Sequence, residues 1–146
     1  MRVRKIKNKF ELIERSGECE LRLIGRTVED LFYQALEGLS SLLYRGYPHP
    51  CVSPTSVHVR ISSVDVNSLL VDFLSEVLYQ TEMHRCTFSD MHLRRLTNSE
   101  LEADIRGCRI VRADRRIRLV TYQGVRVLKH PDGLWQASVI FDIEGK

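Results

Sequence analysis

The chain has 146 residues, 43% of them apolar and 28% charged, with a formal net charge of +3. That length fits one ordinary domain, large enough to bury a core without a staple. A mean hydropathy of −0.20, and no run near the ~20 apolar residues of a membrane span, exclude a helical membrane protein.

The first residues, MRVRKIKNKF, are basic but no apolar stretch follows, so they do not read as a signal peptide and the cytoplasm is the expected compartment. Residues 1–9 are expected to form a basic, flexible lead into a single domain. Residues 10–24, FELIERSGECELRLI, alternate on both sides of Ser16-Gly17 and predict two strands with a short break. Glu14, Glu18 and Glu20 fall on even positions, so an uninterrupted pleat puts them on one polar face. The next stretch predicts a helix near 28–44. Thr27 is a suitable N-cap, Glu29 and Asp30 favour the first turn, and Leu31, Ala35, Leu39 and Leu42 form an apolar stripe. GYPHPCVSP carries three of the four prolines and reads as a loop.

Residues 56–63 alternate around Val57, Val59 and Ile61 and predict a strand. After the turn Asp65-Val66-Asn67-Ser68, residues 68–84 predict a second amphipathic helix. From there the pattern is β: 86–96 and 99–107 flank Thr97-Asn98, and 118–129 and 134–143 flank His130-Pro131-Asp132-Gly133. The order β-β-α-β-α-β-β-β-β predicts an α+β fold, an antiparallel-rich sheet packed with two helices.

Side chains with chemical potential are scattered. Cys19, Cys51, Cys86 and Cys108 form no C-x-x-C pair, and in a cytosolic chain they are expected to be reduced and mostly buried. His84, Cys86 and His92 are close in sequence, but tetrahedral zinc needs a fourth ligand and none stands at workable spacing. His49 and His130 sit beside prolines in turns and read as solvated. Of the 22 cationic residues 17 are Arg, and six (Arg106, Arg109, Arg112, Arg115, Arg116 and Arg118) fall within thirteen positions. Such a cluster reads as a solvated, salt-bridged face, or as a surface for RNA phosphates or an acidic partner. No P-loop, dinucleotide fingerprint, nucleophile elbow or H-E-x-x-H is present.

Three blocks, in order and spanning nearly the whole chain, resemble the archease family. The first is FELIERSGECELRLIGRTVEDLFYQAL (10–36), the second LLVDFLSEVLYQTE (69–82). The third is RLVTYQGVRV followed by LWQASVIFDI. The resemblance implies a split β-α-β fold and a non-enzymatic role as accessory factor of the RNA-splicing ligase that joins tRNA halves. It helps that ligase reach its guanylylated state and turn over repeatedly. It also implies a divalent cation, Ca²⁺ above all, at an acidic tip. Carried over by position, the ligand set is Glu18, Asp142 and the place of Ile143, where the family's terminal carboxylate joins. Glu18 is a methylene longer than the family's Asp. Glu14 matches the opening Glu, and Arg15 and Gln123 stand where the family has His. The chain runs three residues past Ile143, so Glu144 becomes the substitute acid. A fixed positive charge at Arg15 competes with a cation for Glu18 or Asp142. The alternative is a divergent RNA- or protein-binding module, with tRNA or other RNA contacted through Arg106–Arg118.

Overall fold

The computed structural model describes residues 2–6, 10–44, 51 and 53–144. The proline-rich loop with His49 lies outside them, apart from Cys51, Ser53 and Pro54.

Eleven elements follow in chain order: β1 (Arg2–Ile6), β2 (Phe10–Arg15), β3 (Glu18–Gly25), α1 (Val28–Leu43), β4 (Pro54–Ser62), α2 (Val66–His84), β5 (Cys86–Leu96), β6 (Glu100–Arg109), β7 (Ile117–Thr121), β8 (Leu128–Lys129) and β9 (Trp135–Ile143). The α+β expectation is met, with the strands divided between two antiparallel sheets. One runs β1-β2-β3-β9-β7, with β8 also on β9; the other runs β4-β6-β5. Against the expected flexible lead, residues 2–6 form an edge strand. Its register sets Arg2 opposite Glu14 and Lys5 opposite Glu11.

Both helices start where side chains satisfy backbone donors. Thr27 accepts from Asp30 N at 3.1 Å. Asp65 accepts from Ser68 N at 2.8 Å, so α2 begins at Val66, two residues before the position read from the sequence. α2 ends at His84 and is capped by Arg85, whose φ of 53° is left-handed. The helices lie against both sheets. α1 packs on β2, β3 and β9 and reaches β5, while α2 packs on β4, β5 and β6 and reaches β7. Phe32 of α1 and Phe73 of α2 meet with ring centroids 5.7 Å apart. One apolar cluster joins all layers, from Leu21 and Phe141 to Leu74 and Ile105. α1 rides so low on β3 that a Cβ at Gly38 would stand 2.6 Å from Leu21 Cδ1.

Two further expectations change. The segment expected as one strand over 118–129 breaks after Thr121, because Val125 N bonds to Tyr122 O and Gly124 takes a φ of +75°. A new short strand then starts at Leu128. The cysteines are not all reduced: Cys51 and Cys108 form a disulfide with Cα atoms 5.3 Å apart, tying the approach to β4 to the end of β6. Cys19 and Cys86 are buried and stand outside any disulfide, as expected.

Candidate functional site

The acidic tip is built at one end of the larger sheet. β2 and β3 join through the two-residue turn Ser16-Gly17, where Gly17 has a φ of +79° that favours glycine. This turn pairs Arg15 with Glu18 and Glu14 with Cys19. On the other side of β3, Glu18 lies directly opposite Asp142 of β9. Residues opposed this way have Cβ atoms about 4.5–5.5 Å apart. Cys19 and Phe141, the next residues inward, are wholly buried, so the Glu18–Asp142 pair faces away from the core. A backbone bond from Ile143 N to Gly17 O, 2.9 Å, pins the end of β9 to the turn.

Charge around this pair is organised by Arg15. Its Nη1 lies 3.7 Å from Glu18 Oε2 and 3.2 Å from Glu20 Oε1. Glu20 also takes Arg22 Nε at 3.0 Å and the Ser138 hydroxyl at 2.7 Å. Burial alone raises the Glu20 carboxyl, but Arg22, Ser138 and Arg15 outweigh it and hold it below the ordinary carboxylate value. Asp142 has Leu119 of β7 as its other register neighbour.

The remaining site residues disperse. Glu14 does not share the face of Glu18 and Glu20. Across a two-residue turn an even-numbered residue pairs with an odd one, so Glu14 stands with Cys19 on the core side, where it forms an ion pair with Arg115. Glu144 donates its N–H to Arg116 O at 2.9 Å and holds Arg116 Nε at 3.2 Å with its carboxylate. The side chain of Ile143 is 6% exposed and turns into the core. Gln123 is not at the tip. It lies in the turn after β7, four residues beyond Leu119, roughly 13 Å at strand spacing. His84 packs edge-on against Phe88, His130 bonds to Gln136, and His92 is exposed on β5. Of the six clustered Arg, Arg109, Arg112, Arg115 and Arg116 lie at or after the end of β6, while Arg106 and Arg118 stand within strands. Arg115 and Arg116 are spent on Glu14 and Glu144, Arg106 lies on β6 opposite Asp90, and Arg118 lies on β7.

Sequence reading missed Ser138 and Arg22 as partners of Glu20, and the carboxylates around His58. His58 Nε2 lies 2.8 Å from Glu102 and Nδ1 2.7 Å from Asp104 on the second sheet. Only strand register brings these residues together.

Among the described residues no three His, Cys, Asp or Glu side chains are grouped to hold a metal ion. Ca²⁺ wants six to eight oxygens. The tip offers two carboxylates, one already beside a guanidinium, and the Gly17 carbonyl is bonded to Ile143. As placed, these residues do not fit a resident Ca²⁺ ion. No helix of the described residues is long and apolar enough to cross a membrane.

Residues 10–143 match the model of the archease protein family. The protein archease of Methanosarcina mazei is 27% identical over 143 residues, covering 92% of this chain and 96% of its own. That of Thermococcus gammatolerans is 25% identical, covering 92% and 99%. In fold, the chain is similar to the solution structure of a Methanobacterium thermoautotrophicum protein, with a TM-score of 0.68, 22% identity and coverage of 91% and 97%. It is also similar to the crystal structure of an archease from Thermotoga maritima described as a possible chaperone, with a TM-score of 0.64, 16% identity and coverage of 97% and 98%. The match spans every strand of the tip and both helices, and the chain belongs to the archease family.

Proposed function

We propose that this chain is a non-catalytic accessory factor of an RNA-splicing ligase, and that it acts by presenting the Glu18–Asp142 pair at the ligase active site. The observation that carries this reading is the direct opposition of Glu18 and Asp142 across β3 and β9. Two acids far apart in the chain are fixed on adjacent strands, on the outer face of a sheet whose other face is core. Arg15, on the third strand of the same row, sets the local charge. In this reading the tip works through fixed charges on a rigid sheet end, and a divalent ion is not required of it. Family membership supports the accessory role.

The test uses the ligase from the same source organism and a multiple-turnover ligation assay. Asp142→Ala and Glu18→Ala are expected to change stability by less than about 1 kcal/mol, because the pair faces outward, and to remove the stimulation of turnover. Stimulation equal to that of the parent protein overturns the reading.

A further inference from the structure

On the core side of the tip, a cavity of about 600 Å³ opens between the C-terminal ends of α1 and α2 and the segment 110–117. That volume is in the range of small-molecule sites, which run from about 300 to 1,000 Å³. Its floor is apolar: Leu43 of α1, Leu78 of α2 and Ile117 of β7, all buried. Thr81 also lines it, 6% exposed, and its hydroxyl oxygen has no hydrogen-bond partner among the described residues.

The wall facing the helices is a strap held by backbone bonds. Ile110 N bonds to Arg85 O at 3.0 Å and Asp114 N to Leu43 O at 2.7 Å. These bonds occupy carbonyls at the two helix ends, whose partial negative charge otherwise opposes an anion. Four guanidinium groups (Arg85, Arg112, Arg115, Arg116) line the cavity against two carboxylates (Glu82, Asp114). Arg115 and Arg116 are engaged by Glu14 and Glu144, outside the lining set. Arg85 and Arg112 make no ion pair or side-chain hydrogen bond among the described residues. A second cavity of about 510 Å³ lies along the same strap, lined by Arg85, Arg109 and Ser53, so a third guanidinium without an ion pair among the described residues stands nearby. Val111, on the strap between them, is fully exposed.

From this geometry we propose that the strap cavity is a binding site for a phosphorylated small molecule with an apolar body. The guanidinium fork matches phosphate in bidentate fashion. Arg85 and Arg112 supply that contact, and the Leu43–Leu78–Ile117 floor takes the apolar part. The site does not depend on any role of Glu18 and Asp142. A nucleotide and a phosphorylated lipid share this chemistry.

Calorimetric titration of the full chain separates these sources with four probes: ATP, octyl phosphate, inorganic triphosphate and adenosine. ATP or octyl phosphate is expected to bind at least about tenfold more tightly than triphosphate or adenosine, which each carry half the recognition. Binding of ATP alone assigns a nucleotide, and of octyl phosphate alone a lipid-like ligand. Arg112→Glu is expected to weaken binding about tenfold or more, and Ala113→Trp to block it by filling the cavity. Arg60→Glu, on the far face of the second sheet, leaves it unchanged. No binding by any probe at millimolar concentration overturns the proposal. So does triphosphate binding as tightly as the amphipathic probes, or binding that survives both Arg112→Glu and Ala113→Trp.

Discussion

The Cys51–Cys108 disulfide closes a loop with a sequence separation of 57 residues. That loop contains β4, α2 and β5 and most of β6. In the chain-entropy account, a cross-link over this separation removes about 14 cal/mol/K from the unfolded ensemble, or about 4 kcal/mol at 25 °C. The unfolding entropy of a 146-residue chain is about 0.3 kcal/mol/K at ~2.1 cal/mol/K per residue, so reduction is expected to lower Tm by roughly 13 °C. With a urea slope of about 2 kcal/mol/M the midpoint falls by about 2 M. The assay is urea unfolding of the oxidised protein, the reduced protein and Cys51→Ser/Cys108→Ser, followed by far-UV circular dichroism. Thiol titration in denaturant without reductant is expected to find two reactive groups, Cys19 and Cys86, and four after reduction. Reduced protein and the double variant are expected to unfold alike. Oxidised and reduced midpoints agreeing to within about 0.5 M urea, or four free thiols before reduction, would refute the reasoning.

Two glycines give a graded packing test. A Cβ at Gly107 would press into the carbonyl of Thr87 and stand 2.8 Å from Phe88 Cα, backbone that cannot yield without parting β5 from β6. Gly107→Ala is expected to cost about 3 kcal/mol. At Gly38 the obstacle is the end of the Leu21 side chain and alanine gains about 1 kcal/mol of helix preference, so Gly38→Ala costs about 1 kcal/mol. Thermal denaturation ranks them, and the reverse order contradicts the close approach of β6 to β5. Glu20 gives a pH test. Its folded pKa lies below the unfolded value of 4.5, so its contribution is present above that pH and lost as pH falls through the folded value. Glu20→Gln is therefore expected to be less stable than the parent at pH 7, with the gap closing in acid. A gap that does not shrink as the pH falls below 4.5 assigns the loss to packing instead.

Much of the fold is written locally in the chain. Leu31, Ala35, Leu39 and Leu42 repeat at helical spacing behind Thr27, and α1 forms there. Val57, Val59 and Ile61 alternate, and β4 forms there. Local signals fail where the decisive fact is long-range. Asp65 and Ser68 are both able to cap α2, and only the hydrogen bond between them shows which one does. The even spacing of Glu14, Glu18 and Glu20 hides the pairing rule of the turn, which sends Glu14 to the other face. Cys51 and Cys108 carry no mark of bonding until the β4–β6 register brings them together. At the tip, the β3–β9 register sets Glu18 opposite Asp142. Gln123 lies past the break after Thr121, away from that pair.

Asp72, on the second turn of α2, accepts from the Ser63 hydroxyl at the exit of β4 and from the Tyr122 hydroxyl just past β7. Those two donors belong to chain segments leaving different sheets, and the bond to Asp72 pushes the Tyr122 hydroxyl up in pKa. A single carboxylate thus acts as a rivet between two plates. Through α2 that carboxylate ties the two sheets together at the polar margin of the apolar cluster that already joins them.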